Sequence, residues 1–227
     1  MINKKKFLNT PMGKALLELS DVMNKSDIAP ISINVIGGFA LILRELRSPS
    51  AITDIDYVGE SLSNELDRLI DRIGIKYNLG TGWINNDVML SGITFEDFEY
   101  ITGPLNFEEA FSVGNITINV LEEEDLLRMK LISLDTSLTA IEVGGDFSRA
   151  KDLNDIVVLM NHLKLSQRDV SGMYQDYLIN PITPKIIKML SKVGERRALD
   201  FIDKIVEINQ AKNGNLISKI VNEEHDR

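Results

Sequence analysis

Asp54 and Asp56 stand two residues apart in Thr53-Asp54-Ile55-Asp56-Tyr57-Val58, where apolar and acidic side chains alternate. Side chains of an extended strand leave alternate faces, so both carboxylates emerge on one side, about 7 Å apart. Such a pair is a poor self-contained charge cluster but a good seat for Mg²⁺, which takes a few carboxylates together with substrate phosphates and water. A metal held there would polarise a phosphate, and a second could activate an attacking hydroxyl. Upstream, Ile33-Asn34-Val35-Ile36-Gly37-Gly38-Phe39-Ala40-Leu41 sets two glycines between a strand-like run and a helical one. Without Cβ atoms their amides can approach a phosphate, and the helix N-terminus adds unpaired N–H groups and partial positive charge. Singly, neither piece is specific: glycines often join strand to helix, and an Asp-x-Asp pair on an edge strand is commonly a solvated face. The information lies in their order and separation.

The flanking pattern supplies the elements that would position these residues. Ile31 to Ile36 alternates Ile or Val with Ser or Asn and predicts a strand; Gly37-Gly38 ends it, and Phe39 to Leu46 predicts a helix. Ser48-Pro49-Ser50 is a turn before a second strand, Ile52 to Val58. Ahead of them Thr10 caps a helix with Pro11 at its first position, and Leu16, Leu17, Leu19, Val22 and Met23 recur at helical spacing. After them Ser61 or Ser63 opens a helix to about Ile73, which Gly74 stops, and Ile75 to Tyr77 reads as a short strand. Gly80 to Gly103 reads as short strands joined by loops. Ile116 to Leu121 is a strand, and Glu122 to Asp125 put acidic groups in the first turn of a helix running through Ile132. Gly144-Gly145-Asp146 breaks the chain, and Ser148 starts a helix to Leu163. The remainder to about Asn209 is helical, with turns at Pro181 and Pro184, before a frayed end. The fold class is α+β, a strand-bearing core over 1–123 followed by a helical lobe over 124–227.

Composition narrows the function classes. The 227 residues are 44% hydrophobic and 26% charged, enough apolar content for a sizeable core. No apolar run approaches the roughly 18–20 residues that span a bilayer, and no secretory signal is legible. The absence of cysteine excludes disulfides, thiolate nucleophiles and Cys-ligated zinc, and the chain reads as cytoplasmic. Two histidines, His162 and His225, leave little for a Ser-His-Asp triad or a His-rich metal site. A net charge of −9 disfavours broad nucleic-acid binding. Two basic clusters, Lys4-Lys5-Lys6 and Lys192 with Arg196 and Arg197, read as solvated surface.

Strand, Gly-Gly, helix and a strand bearing Asp-x-Asp, in that order, resemble the signature of the nucleotidyltransferase superfamily. More narrowly, the chain looks like small bacterial nucleotidyltransferase-like proteins grouped with the abortive-infection toxins of type IV toxin–antitoxin systems. The resemblance runs from about residue 16 to 163. In those families Arg precedes the Asp-x-Asp strand, and a Lys-bearing helix and an Arg/Lys-Lys-Asp-x-x-Asp element follow. Here Arg47 stands before the pair, Lys130 lies in Leu126-Leu127-Arg128-Met129-Lys130-Leu131, and Arg149-Ala150-Lys151-Asp152-Leu153-Asn154-Asp155-Ile156 follows.

The resemblance implies a mixed β-sheet core flanked by helices and transfer of a nucleotidyl group from a nucleoside triphosphate. By it, Asp54, Asp56 and Lys130 would be catalytic, with Gly37, Gly38, Arg47, Lys130 and Asp152 toward the nucleotide. Mg²⁺ or Mn²⁺ would sit on Asp54 and Asp56, while the Lys130 ammonium gives the triphosphate a point charge. Asp155 shares the helical face of Asp152, though the two could equally be an exposed pair beside Arg149 and Lys151. Trp83, in Gly82-Trp83-Ile84-Asn85, resembles a Gly-Trp-Leu-Asn element of some members and also suits a core position. Family catalysts add a third carboxylate from a neighbouring strand, where Ile116 to Val120 offers Thr117 and Asn119. Asp87, Glu96 and Asp97 are substitutes, Asp87 leading because it follows the Trp element. Implied partners are the nucleoside triphosphate, a tRNA 3′ end or protein acceptor and a cognate antitoxin protein, with no membrane. The missing carboxylate leaves two other expectations: an inactive nucleotide-binding or protein-interaction module, or a plain structural domain.

Overall fold

The computed structural model describes residues 3–48, 54–89, 94–142, 150–193 and 195–209. The chain divides into two compact units, Met1–Leu126 and Leu127–Arg227. The first holds a five-stranded mixed sheet made of β1 (Ile31–Val35), β2 (Ile55–Val58), β3 (Ile84–Asn85), β4 (Phe107–Val113) and β5 (Ile116–Leu121), in the order β3-β2-β1-β5-β4. β1 runs antiparallel to β2 and parallel to β5; β2 is parallel to β3, and β4 is antiparallel to β5. Its helices are α1 (Lys4–Phe7), α2 (Pro11–Lys25), α3 (Gly37–Leu43), α4 (Asn64–Lys76) and α5 (Phe95–Thr102). α6 (Glu123–Glu142) leads into the second unit, which holds α7 (Ala150–His162), α8 (Gln167–Tyr174), α9 (Thr183–Val193) and a helical stretch over 195–209. Among the described residues no helix is long and apolar enough to cross a membrane.

Alternation along the strands makes one sheet face apolar. Ile33, Val35, Ile55, Tyr57, Ile116, Ile118 and Val120 are all buried, and the register keeps them on that face. Phe111 of β4 is paired with Ile118 and so lies there too. Phe7 joins it to Phe39 of α3, with ring centroids 5.4 and 5.6 Å away respectively. Leu16, Leu19 and Met23 of α2 and Leu66, Ile70 and Ile73 of α4 complete this core. The other face carries Ser32, Asn34, Thr117 and Asn119, none of them buried. Asn119 Nδ2 donates to Asn34 Oδ1 and to Ser32 Oγ, each at 2.9 Å.

Helix ends follow local chemistry. Thr10 Oγ1 accepts from Gly13 N at 3.1 Å with Pro11 in the first turn, as the sequence predicts. α4 runs on through Lys76, where a short strand is expected over Ile75 to Tyr77. Gly74 does not stop it, because its role is packing: a Cβ there would strike Gly80 O and the Trp83 ring. The helix ends instead at Asn78, whose φ of 59° is a left-handed value that Asn adopts at low cost. Among the described residues between Gly80 and Gly103 only β3 is a strand. α5 forms instead, because Thr94 and Asp97 make a capping box in which each side chain bonds the other's backbone N–H. The Ile52 and Thr53 end of the second strand, most of the Ser48-Pro49-Ser50 turn, the Gly144 break, the Ser148 helix start and the C-terminal end lie outside the described residues.

α2 and α4 are also tied at their surface. Glu18 accepts from Lys76 Nζ at 2.5 Å and from Tyr77 Oη at 2.9 Å. The hydrogen bond from Lys76 holds the Glu18 carboxyl below its ordinary range. A depressed acid contributes stability above its unfolded pKa and loses it as pH falls through the folded one. Glu18→Gln should therefore destabilise modestly at neutral pH, and its urea midpoint should converge on wild type below the carboxylate range. The interior contact is less forgiving. Gly74→Ala should cost about 3 kcal/mol, the upper end for overpacking, because backbone Gly80 O and a Trp ring cannot both yield. A lower urea midpoint with an unchanged slope is the expected reading.

Candidate functional site

Each candidate site residue has a definite place. β1 hands over to α3 at Ile36, whose N–H donates to Asp56 O at 3.0 Å and extends the β1–β2 ladder by one rung. Gly37 follows with φ 66°, a left-handed value that costs an L-residue about 1–2 kcal/mol. An ideal Cβ on Gly37 would lie 2.7 Å from Asp56 Oδ2. Sterics therefore require glycine twice over, and the Asp56 carboxylate lies directly against the Gly-Gly turn. Ile36, at the N-cap, supplies no side-chain acceptor to the first turn of α3. Gly37 and Gly38 are both partly exposed.

Asp54, expected on the strand, stands just ahead of β2 and is exposed; within β2 Ile55 is fully buried and Asp56 partly exposed. The buried Ile55 and Tyr57 on either side put Asp56 on the face away from the apolar core. Asn85, paired with Asp56 across β2–β3, donates Nδ2 to Asp56 Oδ1 at 3.4 Å and to Gly82 O at 3.1 Å. Tyr57, the next residue, points into the core. Burial, offset in part by a hydrogen bond with the Leu62 backbone and reinforced by the nearby Asp67 charge, pushes its phenol above the ordinary range. It stays protonated at neutral pH and offers no base to the site.

Arg47 is partly exposed in the bend after α3. Asp87 is exposed in the turn beyond β3, where its N–H donates to Asn85 Oδ1 at 3.1 Å. Among the described residues no group of three acidic or histidine side chains that could hold a metal ion is found. Glu96 and Asp97 lie in the first turn of α5, where Asp97 serves the cap. Trp83 is 1% exposed, with its indole N–H donating to Ile70 O at 2.7 Å; it is a core residue.

In the second unit Lys130 donates to Asp152 Oδ1 at 2.6 Å and lies 2.8 Å from Asp155 Oδ2. The three side chains are between 1% and 9% exposed. The i,i+3 spacing of the two aspartates on α7 aims both at one ammonium, so they are a buried pair and not a surface one. Lys130 thus commits two of its three donors within its own unit.

Two structural polar groups escape sequence reasoning. Arg44 forks onto Leu121 O through Nε and Nη2, at 3.2 and 2.8 Å, and reaches Glu108 and Glu123 through Nη1. Asp135 on α6 accepts from the backbone N–H of Ile179 and Asn180 and from Thr183 Oγ1, fixing the approach to α9. The one available signal for each is a charged residue inside an apolar helical run.

A scan against protein-family models finds no match, and comparisons with curated proteins and with solved structures find none either.

The buried cluster gives a direct test. Removing one partner of a buried ion pair typically costs about 3–5 kcal/mol, since the remaining charge is stranded away from water. Lys130→Ala should show that loss in urea denaturation, and Lys130→Met combined with Asp152→Asn and Asp155→Asn should recover much of it. An unchanged midpoint in Lys130→Ala would mean that the ammonium does not tie α6 to α7.

Proposed function

We propose that the first unit is a nucleotidyltransferase-like core that moves a nucleotidyl group from a nucleoside triphosphate to an acceptor hydroxyl. The observation that carries this reading is the Asp56 carboxylate set against a positive-φ Gly37, which joins an acidic pair to an uncapped, glycine-led helix start. Phosphate and divalent metal are the chemistry that such a juxtaposition serves. Two carboxylates as hard oxygen donors suit Mg²⁺ or Mn²⁺, which would complete its shell with phosphate and water. Such an ion supplies charge neutralisation on the transferred phosphate. Gly37 and Gly38 would hold phosphate oxygens through backbone N–H groups, and Asn85 would fix the Asp56 rotamer. In the reaction the acceptor oxygen bonds to the α-phosphorus, the bond to the bridging oxygen of the β-phosphate breaks, pyrophosphate leaves and the acceptor proton passes to solvent.

A tRNA 3′ end or a protein hydroxyl as acceptor and a toxin role with a cognate antitoxin rest on the resemblance of the sequence alone, and a cytoplasmic setting rests on the lack of cysteine. Lys130, Asp152 and Arg47 have lesser parts in this reading. Lys130 and Asp152 already hold each other, and Arg47 serves at most as a flanking charge. A second reading, a nucleotide-binding or interaction module without turnover, draws on Asn119. It offers an amide where a third carboxylate would sit, and that amide is engaged by Asn34 and Ser32.

Incubation with each α-labelled nucleoside triphosphate, Mg²⁺ and total cell RNA plus protein tests the reading. Label should enter one fraction with wild type and fall to background with Asp54→Asn combined with Asp56→Asn, because neutral amides are weak Mg²⁺ ligands. Gly37→Ala, which displaces Asp56, should lose activity with it. Full transfer by the double variant with an unchanged metal requirement would end the proposal. Mg-dependent nucleotide binding by calorimetry with no labelled product would select the second reading.

A further inference from the structure

The polar face of the sheet carries an arrangement that the reading above leaves without a task. Asn34 of β1 and Asn119 of β5 are register partners on neighbouring parallel strands, so their side chains stand together on that face. Asn119 Nδ2 commits both its hydrogens within the sheet, one to Asn34 Oδ1 and one to Ser32 Oγ. Two groups are left over: Asn34 Nδ2, a donor, and Asn119 Oδ1, an acceptor. Neither bonds a described residue, and neither is among the buried side-chain atoms without a partner, so both meet solvent. The two residues are partly exposed. The bond between the amides also fixes which way each one faces, because turning either over alone would set like groups against each other. A donor and an acceptor are thus held in set orientation at the surface of two central strands.

We propose that this amide pair reads the base of the nucleoside triphosphate. The inference rests on the nucleotidyltransferase-like reading above and places the part of the substrate that it leaves unplaced. Charge separates the two ends of such a ligand. The triphosphate calls for Mg²⁺ and backbone N–H groups at Asp56 and the Gly-Gly turn, whereas the row of Ser32, Asn34, Thr117 and Asn119 is neutral throughout and suits a neutral group. A nucleobase edge sets a donor beside an acceptor, and carboxamides answer with an acceptor and a donor, as Asn and Gln do on adenine. Sugar hydroxyls, each both donor and acceptor, need no such fixed orientation. Spacing agrees. Ile36 is level with Asp56, and Asn34 lies two residues back along β1. One strand across and two residues along is about 8 Å between backbones, of the order that separates a nucleotide's α-phosphate from the edge of its base. An amide is a weak ligand for Mg²⁺, so Asn119 suits this task better than a metal.

Calorimetry on the full chain with Mg²⁺ tests it, with inorganic tripolyphosphate and the α,β-methylene analogues of ATP, GTP, CTP and UTP as probes. The analogues cannot transfer, so binding alone is read. The best analogue should bind about tenfold or more tighter than the weakest, and tighter than tripolyphosphate. Asn34→Ala with Asn119→Ala should bring the analogues to within about twofold of one another. Tripolyphosphate should bind this variant as it binds wild type, which reports that the variant is folded. Should the double variant not fold, Asn34→Ala alone, which leaves Asn119 its bond to Ser32, should show the same loss of discrimination. Analogues that bind wild type equally would overturn the proposal and leave the phosphate site standing, and so would discrimination that survives the substitutions. Absence of Mg-dependent binding by every probe, tripolyphosphate included, would remove the phosphate reading and this inference with it.

Discussion

The pairing of β1 with β2 is the constraint on which the first unit depends. Asn34 lies opposite Val58 and Val35 opposite Tyr57, and the Ile36 N–H to Asp56 O bond adds the next rung. Strand parity has period two, so a slip of one residue would turn Ile55 and Tyr57 out of the core and drive Asp56 into it. Burying a carboxylate among Ile33, Ile118 and Val120 would cost several kcal/mol unless it took up a proton. The register is therefore held by the hydrophobic effect acting on alternate residues. The placement of Asp56 against Gly37 follows from it, with no interaction devoted to the site itself.

The second unit manages charge differently. Lys130, Asp152, Asp155 and Asp135 are all buried, and each meets a partner of matched chemistry. Buried polar groups of this kind add little net stability over apolar ones, but leaving one unpaired is costly, so they restrict how helices can pack. Lys130 selects the face of α7 that carries both aspartates. Asp135 selects the path of Leu178 to Thr183, because it accepts from successive backbone N–H groups there. The order of helices along the chain says little about their packing; these polar contacts say more.

Much of the fold was legible in the sequence, for reasons that can be named. β1, β2 and β5 alternate cleanly, and α2 announces itself through Thr10, Pro11 and its apolar spacing. Gly74 misled because glycine has two uses: as a helix stop through positive φ, and as a gap for a neighbour. Only the fold shows that Trp83 fills that gap. α5 went unread because its capping box stands in a glycine-punctuated stretch that suggested loops, and β4 because Glu108-Glu109 breaks its alternation. At the candidate site, the spacing of Asp54 and Asp56 suggested one strand face, but β2 begins at Ile55 and leaves Asp54 just ahead of it, and the contact of Asp56 with Gly37 could not be read from one dimension. Lys130 matched a motif, but its burial with two carboxylates depends on how α6 and α7 pack. Arg44 was passed over in favour of Arg47, since which of two nearby arginines folds back onto Leu121 O is decided by the helix end.

The sheet's two margins have a consequence for how copies of this chain behave together. A sheet edge offers unpaired N–H and C=O groups to any passing strand, and long flat apolar edges invite stacking between molecules. Here one margin, β3, is two residues long. The other, β4, bears exposed Glu108 and Glu109 and shifts register between Glu109 and Phe111. A bulge twists the strand, and two acids repel a second copy of themselves. Neither margin is a template for a sixth strand, so crowding many copies together should favour dispersal over fibre growth from the folded state.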